Sequence, residues 1–304
     1  AGIYIGQFWL VALAPLLIGT YQASAMYYRY AAIEAVDKTQ SGRASALVVG
    51  GGVLAALVAP EIAGFSRDFL PVPFAGAYVA LAGLAAMAAI ITIMLPDGGI
   101  PARSGSSWAV MGALLRRPVI RGAIAVSAAG HGIMILVMTA TPLAMKYCGF
   151  DIDVSANVIR WQLIGMFLPA FVAGPMIDRF GAHRVASLGV GILLISVGFA
   201  VTDISAEAFL ISSFLLGIGW NMMLLAGTTM LGAGHDPSER GHAQSLMELG
   251  NSITATAASI ASGALIAGAG WIPVNYGVVP VLLVAMILMW RGLVAQRSAA
   301  QAGA

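Results

Sequence analysis

The chain has 304 residues, of which 60% are apolar and 9% charged, and its mean hydropathy is +0.91. That balance excludes an ordinary soluble domain. The net charge of +2 gives no reason to expect nucleic acid as a partner, and the single cysteine, Cys148, excludes an internal disulfide.

A helix needs about 20 mostly apolar residues to cross the hydrocarbon core, and it satisfies its own backbone there. Apolar runs of that kind fall at about 8–33, 44–65, 73–95, 119–145, 155–177, 185–202, 206–231, 245–268 and 276–295, which predicts nine membrane helices in an all-α bundle. The connections alternate in charge. One set holds Lys38, Arg43, Arg103, Arg116, Arg117, Arg121, Arg179, Arg184, Arg240, Arg291 and Arg297; the other holds Arg67 and Lys146 beside Asp68, Asp151, Asp153, Asp203 and Glu207. The positive-inside rule assigns the first set, and with it the C-terminus, to the cytoplasm, and a plasma (inner) membrane location is expected.

The break from Pro96 to Pro118 is rich in Pro, Gly, Ser and Arg and is expected to be a cytoplasmic linker. Three helices precede it and six follow. Asp37 to Leu47 aligns without a gap to Asp236 to Leu246 at an offset of 199 residues, and the same offset brings Tyr21-Gln22 onto Trp220-Asn221. A parallel repeat of that kind predicts a twelve-helix, six-plus-six protein in which three further helices precede Ala1. A nine-helix protein with an external N-terminus is the other possibility.

Between the runs ending at 177 and beginning at 185 stands Gly174-Pro175-Met176-Ile177-Asp178-Arg179-Phe180-Gly181-Ala182-His183-Arg184. Gly174, Asp178, Arg179 and Gly181 resemble the loop motif between helices 8 and 9 of the major facilitator superfamily, with Arg184 as the following base. Ala55-x-x-x-Ala59-Pro60-x-x-Ala63-Gly64 is similar to the antiporter motif of that family, with alanine at three glycine positions. The helix-4 arginine of the family is absent, since Pro15 stands in its place. The resemblance implies residues 1–95 as a partial first half (helices 4 to 6), 96–118 as linker and 119–298 as the second half (helices 7 to 12). It implies a monomeric secondary transporter of a small organic solute working by alternating access, with proton coupling expected. A non-transporting sensor or assembly subunit on the same fold is the alternative.

The loop motif implies a latch: Asp178 meeting the helix start at Ser41-Gly42-Arg43, or else pairing locally with Arg179 and Arg184. Charged groups within spans need a partner or water. Arg29, among Tyr27, Tyr28 and Tyr30, is either a substrate or carboxylate contact or a snorkelling anchor. Arg160-Trp161-Gln162 is an anchor or an anion contact. Glu61 is a candidate proton carrier or a residue solvated at the outer end of its helix; Glu248 is a candidate proton carrier that also shares a helix face with Gln244 and Asn251, which either lines a cavity or joins helices. His131, with Met134 and Met138 on following turns, is a packing residue, a proton carrier or a substrate contact. Gly217-Ile218-Gly219-Trp220-Asn221 combines close-approach glycines with a stacking plane and an amide. In the family, helices 4, 7 and 10 line the central cavity, which implies Gln22, His131, Trp220 and Asn221 as the solute site. The small residues of Gly263 to Gly270 are expected to mark close packing. No metal-ligand spacing, phosphate loop or nucleophile and base pairing is seen, so neither a cofactor nor an enzyme activity is expected.

Overall fold

The computed structural model describes residues 5–10, 27–67, 69–72, 75–94 and 107–302, with a few further positions between 13 and 25. Its helices are α1 (Tyr28–Glu34), α2 (Ser41–Gly50), α3 (Gly52–Arg67), α4 (Ala75–Ile93), α5 (Ser107–Arg116), α6 (Pro118–Tyr147), α7 (Ile152–Phe167), α8 (Ala170–Phe180), α9 (Ala182–Thr202), α10 (Ala206–Gly232), α11 (Arg240–Ala269) and α12 (Trp271–Ala302). Eight stretches among the described residues are long and apolar enough to cross a membrane, the first being Ser41–Ala59 and the last Trp271–Ser298. Of the run expected at 8–33, positions 11, 12, 14–18, 20, 22, 23 and 26 lie outside the described residues; its end forms α1.

Two expected single helices are each interrupted. The run at 44–65 becomes α2 and α3 around the Gly50-Gly51-Gly52 triplet, where backbone without side chains has little to hold it straight. The run at 155–177 becomes α7 and α8 at Leu168-Pro169, because the proline has no N–H for the carbonyl one turn back. The expected linker also contains structure, since 107–116 form α5. Its fully buried Leu114 packs into the main core, while Trp108 on the other face is exposed. Tight single-glycine turns join α8 to α9 and α11 to α12. Gly181 (φ 88°) and Gly270 (φ 83°) adopt a backbone that side chains disfavour, which supplies the physical reason for the second glycine of the loop motif.

The chain divides into two units, residues 1–28 with 54–102, and residues 29–53 with 103–304. In the first, α3 and α4 approach so closely that a Cβ on Gly76 would lie 2.0 Å from the Ser66 carbonyl oxygen. The Tyr28 hydroxyl meets Thr92 Oγ1 at 2.8 Å.

The second unit is built around α10, whose buried faces pack on α6, α7 and α9; α12 closes over α6 and α9. Phe209, Leu216, Met223, Leu225, Leu193 and Leu282 form much of this core. Lipid cannot drive helices together as water does, so contact depends on backbone proximity. Glycines provide it in pairs: Gly165 and Gly217 between α7 and α10, Gly189 and Gly219 between α9 and α10, Gly122 and Gly292 between α6 and α12. By contrast, a Cβ on Gly263, Gly268 or Gly270 would meet nothing within 4 Å, so the expected packing role of that stripe is not seen among the described residues.

The 199-residue offset reappears locally. A 3-10 turn at Lys38–Gln40 follows Asp37 and leads into α2, and one at Pro237–Glu239 follows Asp236 and leads into α11. The second is reinforced by a capping box between Asp236 and Glu239. Arg117 donates to both Glu239 carboxylate oxygens, at 2.7 and 2.8 Å, and these bonds push its high pKa further up.

Candidate functional site

Two clusters in the second unit gather most of the sequence candidates. The first lies midway along α6. Phe167 closes α7 just before the Leu168-Pro169 break, and α10 presents Trp220 beside it, while α6 presents His131. The Trp220 indole Nε1 donates to His131 Nδ1 at 3.2 Å, which leaves the imidazole neutral at that nitrogen. Phe167 meets Trp220 edge to face, with ring centroids 6.2 Å apart. Met134, Met138, Met166, Leu163 and Leu224 surround the rings. His131 is only 8% exposed. A wall of rings and thioethers with one imidazole is suited to a flat, polarisable molecule.

Asn221 is placed beside this cluster but points its amide elsewhere. Its Nδ2 donates to the Met166 carbonyl at 2.7 Å, next to the proline break. Its Oδ1 and both side-chain polar atoms of the wholly buried Gln162 have no hydrogen-bond partner among the described residues. Gln162 faces inward whereas Arg160 and Trp161 on the same turn are exposed. Gln22 lies outside the described residues.

The second cluster is an ion pair. Arg29, 1% exposed, donates through Nη2 to Glu248 Oε1 and to the Tyr30 hydroxyl, and Tyr30 in turn donates to the same Glu248 oxygen at 2.8 Å. The Glu248 side chain is 15% exposed. The polar face expected on α11 is divided among three partners: Glu248 takes Arg29, Asn251 Oδ1 accepts from Ser127 Oγ at 2.9 Å, and Gln244 Nε2 donates to Glu34 Oε1 at 3.4 Å. All three thus meet side chains of α1 or α6. Glu61 belongs to the first unit, where it is exposed.

The loop motif is assembled at the arginine-rich end. Asp178 Oδ1 accepts the Gly42 backbone N–H at 2.9 Å and Oδ2 accepts that of Arg43 at 3.2 Å, so the carboxylate caps the start of α2. Gly174 allows the contact: its own Cβ would lie 2.5 Å from that of Ala46. Arg179 does not pair with Asp178 but lies over the Phe180 ring at 5.3 Å, and Arg184 borders a separate cavity with His183 and Arg297. Nearby, Arg240 Nη1 meets Glu34 Oε2 at 3.2 Å. Among the residues in these contacts, Phe167, Met166 and Glu34 were not foreseen. Phe167 carries one signal that sequence offers, its place just before Leu168-Pro169.

These features define a multi-span, all-helical membrane protein with polar and ionic groups buried between its helices. The Major Facilitator Superfamily family model matches residues 151–304. The riboflavin transporter RfnT of Brucella anthropi is 31% identical over 306 residues, covering 99% of this chain and 77% of that protein. The uncharacterized MFS-type transporter YdeG of Bacillus subtilis is 26% identical, over 95% of this chain and 72% of its own length. The 4-hydroxybenzoate transporter PcaK of Pseudomonas putida is 28% identical over 49% of this chain and 34% of its own. The chain belongs to the Major Facilitator Superfamily and is a membrane transporter of small solutes.

Proposed function

We propose that the chain moves a small organic solute carrying a planar aromatic ring, by alternating access of two halves. The observation that carries this is the His131, Trp220 and Phe167 cluster with its methionine wall. Stacking and edge contacts on aromatic rings contribute about 0.5–1.5 kcal/mol each beyond area burial, and a neutral imidazole adds a hydrogen-bonding atom for a ring heteroatom or carbonyl. The names of two relatives, a riboflavin and a 4-hydroxybenzoate transporter, each specify an aromatic solute. In this scheme His131 and Trp220 contact the solute, and Asn221 holds α7 against α10 through Met166.

The halves are residues 1–95 and 119–298, joined by 96–118. Asp178, with Gly174, Arg179, Gly181, Arg184 and Arg43 around it, latches the end that faces the cytoplasm of a cell whose inner membrane holds the protein, its C-terminus inside. Arg29 acts in gating rather than on the solute, since its guanidinium is engaged by Glu248. Protons drive the cycle, with Glu248, His131 and Glu61 as the groups that carry them, and the working unit is a monomer.

The test is uptake of radiolabelled riboflavin and of 4-hydroxybenzoate by cells lacking their own carriers, with and without a protonophore. Saturable uptake of an aromatic solute, lost in Trp220→Ala at equal membrane abundance, is expected. Uptake of neither compound, nor of any aromatic competitor, removes the substrate class; uptake indifferent to the protonophore removes the coupling.

A further inference from the structure

The arginines at the basic end are not equivalent. Arg117 holds Glu239 and Arg240 holds Glu34. Arg121 on α6 and Arg291 on α12 instead share a cavity of about 230 Å³ with Pro118 and Leu288, and neither side chain has a hydrogen bond or ion pair among the described residues. No carboxylate occurs in α6 or α12, the two helices whose residues line this cavity. Two unneutralised guanidinium groups in one cavity repel each other and attract an anion. Fixing topology requires basic residues at this end but does not require that they share a cavity.

Arg291 also lines a second feature. An apolar groove of about 580 Å³ runs along α12 from Leu283 past Met286, Ile287, Trp290 and Arg291 to Val294 and Ala295. Leu283, Ile287 and Trp290 recur at three- and four-residue spacing on one outward face and are 49%, 57% and 43% exposed. An aromatic ring at the boundary between a basic cavity and an apolar groove is the arrangement of a membrane interface.

We infer that Arg121 and Arg291 bind the phosphate of an anionic glycerophospholipid whose acyl chain lies in the groove of Leu283, Ile287 and Trp290. Basic cavities between membrane helices recognise such headgroups. The contiguity of charge and groove selects a lipid over a free anion, which has nothing to place against α12. Guanidinium pairs with a phosphate monoanion, whereas the ammonium of a zwitterionic headgroup would be brought against two like charges.

The experiment uses the intact transporter in detergent and measures lipid retention by native mass spectrometry. The probes are dioleoyl phosphatidylglycerol, dioleoyl phosphatidylethanolamine and, as a headgroup without tails, glycerol 3-phosphate. Phosphatidylglycerol should be retained in preference to phosphatidylethanolamine, and the double variant Arg121→Gln with Arg291→Gln should reduce that preference roughly 10- to 30-fold. Arg116→Gln, an exposed arginine at the same end, should leave it unchanged, and glycerol 3-phosphate at matched concentration should not displace the lipid. Equal retention of the two lipids, a double variant that keeps the preference, an Arg116→Gln variant that loses it equally, or displacement by glycerol 3-phosphate overturns the proposal. A second measurement needs no arginine variant: phosphatidylglycerol with brominated chains should quench tryptophan fluorescence more than its phosphatidylethanolamine counterpart. That excess should vanish in Trp290→Phe; its survival there would place the lipid elsewhere.

Discussion

Gly42 and Gly174 lie so close that a Cβ on Gly42 would come 2.6 Å from the Gly174 carbonyl oxygen. Two helices, α2 and α8, are in backbone contact at the basic end, and neither glycine can be enlarged while they stay there. Gly174→Val should therefore act as a wedge. Overpacking of this kind costs about 1–3 kcal/mol, which is roughly a 5- to 150-fold shift away from the contacted state. A cysteine introduced beside the contact should become more reactive to a soluble maleimide in the variant, and solute uptake should fall. Unaltered reactivity would mean that the contact does not open.

The Asp178 carboxylate caps α2 with both oxygens. An anion at a helix N-terminus contributes about 0.3–1 kcal/mol when exposed and more when partly buried. Asp178→Asn keeps one acceptor but loses the charge, and Asp178→Ala loses both. Uptake should decline in the order wild type, Asp178→Asn, Asp178→Ala at equal membrane abundance. Full activity in the alanine variant would make the cap structural ornament to the cycle.

Arg29 and Glu248 should behave as a coupled pair. Removing one partner of a buried pair leaves an uncompensated charge and costs about 3–5 kcal/mol, whereas replacing both with apolar residues of similar volume is often near neutral. Glu248→Ala should lower the melting temperature in detergent, and Arg29→Met combined with Glu248→Leu should restore it. If the pair also gates, the double variant will be stable and still impaired in uptake. A double variant that transports normally restricts the pair to packing.

Trp220 serves two functions that substitutions can separate. Trp220→Phe keeps a ring against Phe167 but removes the donor to His131, and Trp220→Ala removes both. The ring contact alone corresponds to roughly 2- to 10-fold in apparent KM. The alanine variant should show that rise for an aromatic solute, and the phenylalanine variant a smaller one. Equal KM values in all three proteins would take Trp220 out of the site.

Much of this molecule could be read from residue order because lipid imposes a coarse rule: apolar runs of sufficient length become helices, and charge collects between them. The Asp178 cap on α2 was legible for the same reason, since Asp178 and the helix start at Ser41-Gly42-Arg43 occupy the same end. The Arg29 and Glu248 pair was not, although both were singled out, because 219 positions separate them and no local pattern couples such residues. Asn221 was noticed for its chemistry, but its partner is a backbone carbonyl, and carbonyls carry no sequence signature. The breaks at Gly51 and at Leu168-Pro169 leave no mark in hydropathy, because each falls within a long apolar run.

Those two breaks are neighbours. A Cβ on Gly52 would lie 2.4 Å from the Phe167 ring and one on Gly50 would lie 2.8 Å from that of Phe171, so each ring seats on a bare stretch of the other helix, one just before its break and one just after. Gly51 lies between the glycines and Leu168-Pro169 between the rings, so the two interruptions meet across one contact, and Phe167 belongs both to that contact and to the wall around Trp220.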